Sequence, residues 1–180
     1  MKLRSLLETN RTTDFQSAIS AYVNNNDPKE LYKIHTQVPT ALKFTGTAYH
    51  IFPVTGHELT FFLKEGKFVY KSSKSLLSWS KTMAGLTEAY YNLSADDPSK
   101  FKHALILKTR LSTSNVVVDI TKFAKQYPNA ISSTQYADFI KEEEIVTVNF
   151  LKGTIINGLV DGYIINHEPK KYENTYNQIP

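Results

Sequence analysis

The sequence predicts an α+β fold, because a helical N-terminal layer is followed by many short strands with few helices between them. Residues 14–24 carry apolar side chains at helical spacing, and residues 28–35 begin with a proline, which is favoured in a first helical turn. From residue 41 the pattern changes to short alternating runs interrupted by Gly and Pro. The expected strands are ALKFTGTAYHIF, GHELTFFLKEGKFVY, SLLSWS, HALILKTRL, NVVVDI, EEIVTVNFLKGTII and LVDGYIIN, and within this region helices are expected only at residues 81–93 and 121–127.

The length of 180 residues fits one domain that can bury a substantial core. We expect residues 1–40 to form the helical layer, residues 41–166 a strand-rich core and residues 167–180 a polar tail. No internal repeat or low-complexity linker divides the sequence.

Composition narrows the expected environment. Hydrophobic residues make up 41% and charged residues 21% of the chain, as in ordinary globular proteins. No apolar run approaches the roughly 20 residues needed to span a bilayer, and the first residues lack the apolar stretch of a secretory signal. The sequence has no cysteine, which agrees with a reducing compartment. We therefore expect a cytoplasmic protein with no membrane partner, in the host cytoplasm if it is viral.

Charge and histidine content limit the possible chemistry. The net charge of +4 is spread thinly, which argues against nucleic acid and leaves an acidic or phosphorylated partner open. The five histidines lack ligand-like spacing, so we predict no metal site. A Gly-rich phosphate loop and a Gly-x-Ser-x-Gly elbow are both missing from the sequence. If the protein were instead a nucleic-acid-binding accessory protein, its basic residues would be Lys100, Lys102, Lys108 and Arg110.

A run of three glutamates precedes an apolar strand and supplies the first candidate site. In an extended chain Glu142 and Glu144 share one side, about 7 Å apart, because alternate residues face alternate sides. Two carboxylates at that distance raise the pKa of at least one of them where water is excluded. The alternative interpretation is a solvated acidic turn before the strand.

A Ser-Trp-Ser sequence ends an expected strand and leads into an expected helix. Alternation places the hydroxyls of Ser78 and Ser80 on one face and directs Trp79 to the other, into packing. Two hydroxyls on one face are suited to orienting a polar group. Ser80 has a second interpretation as the N-cap of the following helix, a position that serine favours.

Three stretches in this order, LKFTGTAYH (42–50), LLSWSK (76–81) and KEEEIV (141–146), resemble the motifs of mono-ADP-ribosyltransferases of the arginine-modifying type. The resemblance is greatest to the small enzymes with which T-even phages modify host proteins. That family has an aromatic-Arg-Gly strand, a Ser-Thr-Ser strand that precedes a helix, and a later strand that begins with Glu-x-Glu. The resemblance covers about residues 41–156. It implies an ADP-ribosyltransferase-like fold, with N-terminal helices followed by two small packed mixed β-sheets.

The resemblance also implies an activity and residue roles. NAD would be the co-substrate, and ADP-ribose would pass to a host protein acceptor. Glu144 would hold the ribose 2′-hydroxyl and stabilise positive charge on the sugar, while Glu142 would orient or deprotonate the acceptor. Ser78 would donate a hydrogen bond to Glu144 and fix its carboxylate, and Ser80 would contribute to NAD binding.

The first motif departs from the family at one position, because Thr45 stands where the family has the arginine that binds phosphate. Lys43 lies on the same strand face and offers a charge instead, while Thr45 and Gly46 offer a hydroxyl and a backbone N–H. Three interpretations follow: an enzyme with rearranged phosphate contacts, a nucleotide-binding protein without turnover, or a protein that no longer binds nucleotide. We expect an enzyme; the alternative is an inactive protein of the same fold that binds a protein or nucleotide.

Aromatic residues supply the remaining candidates. Tyr136 and Phe139, in the loop before the glutamates, are expected to contact the protein substrate, with core packing as the alternative. Phe61, Phe62 and Phe68 are candidates to stack on nicotinamide, although their alternating pattern favours packing in the core.

Overall fold

The computed structural model describes residues 15–25, 27–131, 138 and 140–172, and it confirms an α+β fold built on an antiparallel sheet. The helices are α1 (15–25), α2 (Pro28–Ile34), α3 (Gly56–Glu65), α4 (Met83–Asp96) and α5 (Ile120–Gln126). The strands are β1 (Gly46–Pro53), β2 (Leu76–Ser80), β3 (His103–Leu111), β4 (Val116–Asp119), β5 (Glu144–Val148), β6 (Val160–Ile165) and β7 (Glu168–Lys171).

The expectation of two packed mixed sheets is wrong for the described residues. Their strands form one sheet in the order β4-β5-β2-β1-β3-β6-β7, and every neighbouring pair is antiparallel. The sheet is narrow at one junction, because β1 and β2 register only at Tyr49 opposite Ser80, whereas β1 and β3 register over eight pairs. Alternation predicts a strand but not its partner, since pairing depends on long-range contacts.

The sheet has two faces, which we name by the residues of β2 and β5. The front face carries Ser78, Ser80 and Glu144, and the back face carries Trp79 and Ile145, as the registers of these strands and strand alternation require. Helices α1, α2 and α5 pack on the β4-β5-β2 half of the front face, and α4 packs on the β1-β3-β6 half. The back face buries a separate cluster with α3. Helices therefore cover part of each face, and Ser80 and Glu144 are buried on the front face.

Residues 56–65 were expected to be a strand but form helix α3. Thr55 and Glu58 make a capping box, and Gly66 ends the helix at φ +62°, a conformation that glycine adopts without strain. Leu59 and Phe62, three residues apart, are the buried positions. The apolar run alone resembles a strand, whereas the cap signals at both ends indicate the helix.

The expected polar tail begins with a strand instead. Residues 168–171 form β7, which pairs with β6 after a turn in which Asn166 and His167 have positive φ. All four residues of β7 are exposed, and two are lysines. Such a charged edge strand lacks the alternating apolar pattern and protects the sheet from pairing with other chains.

Candidate active site

The carboxylate of Glu144 lies on the front face at the first residue of β5, and the residue is only 3% exposed. Its Oε1 accepts hydrogen bonds from the Ser78 hydroxyl and from the Tyr22 hydroxyl, the latter at 2.8 Å. Its Oε2 is buried without a hydrogen-bond partner among the described residues. One oxygen is therefore fixed from two sides, and the other keeps its capacity to accept a hydrogen bond.

Burial raises the pKa of Glu144 to about 7. Removal of water penalises the charged form, and the negative charge of Glu142 adds to the rise. The hydrogen bonds from Ser78 and Tyr22 act in the opposite direction, because they stabilise the carboxylate. The group thus changes charge near neutral pH, a property that is common at functional sites.

The Ser-Trp-Ser segment is arranged around Glu144. Ser80 lies directly opposite Glu144 in the sheet and is buried, while Ser78 is exposed and lies one step along the same face. Trp79 is buried on the back face, as expected, where its indole N–H donates to Thr147. The N-cap of α4 is Thr82, so the capping interpretation of Ser80 is wrong.

Glu142 does not lie on the strand. Residues 140–142 are helical, and Glu143 at φ +50° links them to β5, so the expected strand-like alternation of Glu142 and Glu144 is wrong. The Glu142 carboxylate instead accepts a hydrogen bond from the side chain of Asn92 at 2.7 Å. Burial raises the pKa of Glu142, the hydrogen bond from Asn92 lowers it, and the charges of Asp138 and Glu88 add smaller increases. The two carboxylates still influence each other, since the charge of Glu142 raises the pKa of Glu144.

Helix α4 fixes the segment that carries Glu142 by close packing at Gly85. A Cβ atom at Gly85 would lie 2.5 Å from the backbone oxygen of Glu142. We expect Gly85→Ala to lower the free energy of unfolding by about 1–2 kcal/mol, because overpacking outweighs the gain in helix propensity. Urea denaturation measures the effect.

Gly158→Ala is the matched control for Gly85→Ala, since a Cβ atom at Gly158 meets nothing within 4 Å. Its effect on stability should stay within about 0.5 kcal/mol. Equal effects of the two substitutions would show that the contact between α4 and residue 142 is unimportant.

Among the described residues, no hydrogen bond or ion pair joins the first motif to Glu142 or Glu144. The Lys43 ammonium is 3.5 Å from the carbonyl of Thr113, and burial lowers its pKa. Thr45 is exposed. Gly46 has φ +151°, and a Cβ atom there would lie 2.8 Å from the Phe44 ring, so the motif needs glycine for its backbone. The structure does not bring these residues together with the glutamates.

Of the aromatic candidates that the structure describes, Phe62 and Phe68 are not found at the site, and Phe61 is an exposed residue of α3. Tyr136 and Phe139 lie outside the described residues. Phe62 is fully buried in the back-face cluster, and Phe68 packs against the same cluster beside Phe52. Both rings are therefore on the face opposite Glu144, as core packing predicts.

Tyr22 is the site residue that sequence analysis missed. It lies on α1, and 122 positions separate it from Glu144. The sequence shows Tyr22 only as part of an apolar helical stripe, and a tyrosine in such a stripe is usually core packing. Burial and the neighbouring Glu144 together raise its pKa well above the ordinary value, so the hydroxyl remains a donor.

Tyr22→Phe is expected to raise the pKa of Glu144 above its value of about 7, because a hydrogen bond to the carboxylate is lost. A hydrogen bond to a charged group contributes about 1.5–3 kcal/mol. Its loss should therefore raise the pKa of Glu144 by about 1 or more. Carbon-13 NMR titration of the Glu144 carboxyl measures the pKa directly. Tyr163→Phe on β6 serves as control, and equal titration curves for both variants would rule out the role of Tyr22.

No family model matches the sequence, and no curated protein matches it. None of the described helices is both long and apolar enough to cross a membrane. Among the described residues, no group of three or more His, Cys, Asp or Glu side chains could hold a metal ion. Any functional conclusion therefore depends on the geometry of the site.

Proposed function

We propose that the protein is an NAD-dependent mono-ADP-ribosyltransferase, a phage-type enzyme that modifies a host protein. The observation that carries the proposal is the buried Glu144 carboxylate, held by the hydroxyls of Ser78 and Tyr22. A carboxylate fixed in this way is suited to stabilising positive charge on a sugar.

Cleavage of NAD creates a positive charge on the ribose, which a carboxylate stabilises. The bond between C1′ of the ribose and the nicotinamide nitrogen breaks, its electron pair neutralises the positive nicotinamide, and the ribose becomes oxocarbenium-like. Glu144 in its ionised form stabilises this cation. Its Oε2 is buried and unpartnered among the described residues, so it would accept a hydrogen bond from a ribose hydroxyl only once the site opens. Ser78 and Tyr22 keep the carboxylate in one orientation throughout.

Glu142 is assigned to the acceptor side of the reaction. It lies close enough to Glu144 to affect its pKa, and Asn92 orients its carboxylate. A raised pKa makes Glu142 a better base for the proton that the acceptor loses when it attacks C1′. The two carboxylates thus have separate roles, one toward the sugar and one toward the acceptor.

Transfer of label from NAD to protein tests the proposal. A lysate is incubated with the protein and NAD labelled in its adenylate phosphate, and a labelled protein band is expected. NAD labelled in nicotinamide should label nothing, because nicotinamide leaves. A band that also forms with the Glu144→Gln variant would sink the proposal.

The first motif favours a second candidate, an inactive protein of the same fold that binds a protein or nucleotide. Thr45 lacks a charge, and Lys43 is directed to the carbonyl of Thr113 rather than toward Glu144. Such a protein would show a thermal shift with NAD but no nicotinamide release. Release of nicotinamide would exclude this candidate.

A further inference from the structure

A row of residues leads across the front face from the candidate site to a basic side chain. Glu144 is opposite Ser80, Ser80 is opposite Tyr49, and Tyr49 is opposite Lys108. Neighbouring strands are about 4.8 Å apart, so Lys108 starts about 14 Å from Glu144 along the sheet. The row crosses β5, β2, β1 and β3 and passes through the single pair that joins β1 to β2.

Lys108 and Arg110 form what we call the basic strip. Arg110 is opposite Thr47 in the sheet. Since Arg110 is two residues from Lys108 on β3, the two basic side chains are on the same face. Both basic residues are exposed. The Lys108 ammonium lies 5.7 Å from the centre of the Tyr49 ring, on the side toward Glu144. Arg110 forms no ion pair with any residue that the structure describes.

A shallow, half-open cavity of about 240 Å³ lies beside the basic strip, where α4 begins and β6 meets β7. It adjoins Lys108 through Ile106, two positions along the same face, and through Asp161, the ion-pair partner of Lys108. The cavity is smaller than the roughly 300–1,000 Å³ of most small-molecule sites, so it fits one end of a dinucleotide. Its lining comprises Met83, Ile106, Asp161, Gly162, Pro169, Lys170 and Lys171.

We propose that the basic strip binds the diphosphate of a nucleotide and that the adjoining cavity takes its base. In the reaction proposed above, the adenosine diphosphate half of NAD would lie along β1 and β3. Because Ser80 and Glu144 are both 3% exposed, the front face would have to open for the nicotinamide ribose to reach Glu144. The choice of NAD rests on the proposed function; the nucleotide site itself rests on the strip and the cavity.

Charge and shape support this assignment. A guanidinium presents two parallel N–H groups to phosphate oxygens, and an ammonium adds a second positive charge. The carboxylate of Asp161 opposes phosphate binding, but its contact with Lys108 is a long, exposed pair at 3.4 Å that exchanges readily for a stronger one. Lys171 adds positive charge at the cavity, while Lys170 is paired with Glu168 at 3.1 Å.

The assignment also differs from the expectation for Lys43. That side chain is directed to Thr113, whereas Arg110 is exposed on the strand next to β1, opposite Thr47. Thr45 lies before the first residue of β1, so strand alternation does not place its side chain. In the proposed site the arginine that contacts phosphate is Arg110 of β3, since the first motif has no arginine.

Isothermal titration with adenosine diphosphate tests the site, with wild-type protein and a Lys108→Ala, Arg110→Ala double variant. Each charge-assisted hydrogen bond contributes about 1.5–3 kcal/mol, so the double variant should bind at least about 10-fold more weakly. Lys152→Ala, which removes an exposed lysine from the turn after β5, should leave binding unchanged. Circular dichroism melting confirms that each variant is folded.

The Met83→Trp variant distinguishes the contribution of the cavity to binding from that of the basic strip. The larger side chain fills the cavity, so it should weaken binding of adenosine diphosphate but not of inorganic pyrophosphate. Unchanged affinity in the double variant, or no binding to wild type, would overturn the inference even if NAD labels a protein. Weakened binding in the variants without any nicotinamide release would support the nucleotide site and reject the transferase.

Discussion

Glu144→Gln is expected to lower NAD turnover by about 100-fold or more. Glutamine keeps the size of the side chain and accepts hydrogen bonds from Ser78 and Tyr22, but it cannot supply the negative charge that an oxocarbenium-like ribose requires. Nicotinamide release from NAD, measured without any acceptor, reports the effect on this step alone. The loss should appear in kcat rather than in KM, because the charge is needed mainly in the transition state.

Glu142→Gln is the informative comparison for Glu144→Gln. If Glu142 serves the acceptor, its loss should reduce transfer to protein far more than it reduces nicotinamide release. A Glu144→Gln variant that released nicotinamide at the wild-type rate would refute the assigned role of Glu144. Equal losses of both activities in the Glu142 variant would refute the division of labour between the carboxylates.

The stability of the protein is expected to fall as pH rises through the range in which Glu144 ionises. Its pKa rises from an ordinary value of 4.5 to about 7 in the folded protein. Below about pH 4.5 the group is protonated in both states, and above about pH 7 it is charged in both. Between these values only the folded state keeps the proton, so the stabilisation present at low pH is lost as pH rises. The loss from this group is roughly 3 kcal/mol.

Urea denaturation of wild type and Glu144→Gln from pH 4.5 to pH 8.5 isolates this contribution. The variant lacks the titrating group, so the difference between the two free energies of unfolding reports Glu144 together with its coupling to Glu142. Relative to the variant, the wild type should lose stability up to about pH 7 and then change no further. A constant difference over this range would show that Glu144 is solvated in the folded protein.

The loss of stability that the wild type is expected to show relative to the glutamine variant has a physical meaning. A buried charge without full compensation destabilises the fold, and the same charge is what the proposed reaction uses. A variant that is more stable yet inactive would agree with a carboxylate retained for chemistry. A variant that is both less stable and inactive would indicate a structural role for Glu144.

The sequence predicted the local features that depend on neighbouring residues. The helices near residues 15–25 and 83–96 and the strand that ends in Ser80 follow from periodicity and caps. The contact between Ser78 and Glu144 followed from the resemblance, which links two distant motifs. The helix at residues 56–65 was missed because its apolar run resembles a strand, although the capping box was readable.

Long-range features were not readable in the same way. Strand order, the single-pair junction of β1 with β2 and the hydroxyl of Tyr22 all depend on how distant segments pack. Glu142 left the strand because Glu143 adopts a positive φ, a conformation that is rare for residues other than glycine. Alternation assumes an extended chain, so it failed where the backbone turned.

The residues that surround Glu144 are far from it in sequence, and this affects when the protein acquires activity. Ser78 and Tyr22 precede Glu144 by 66 and 122 positions. A ribosome-bound nascent chain that has not yet exposed β5 therefore holds the two donors without the acid they orient. Under the proposed function, such a chain would consume no NAD, and in refolding experiments enzymatic turnover should reappear only after the distant segments have joined.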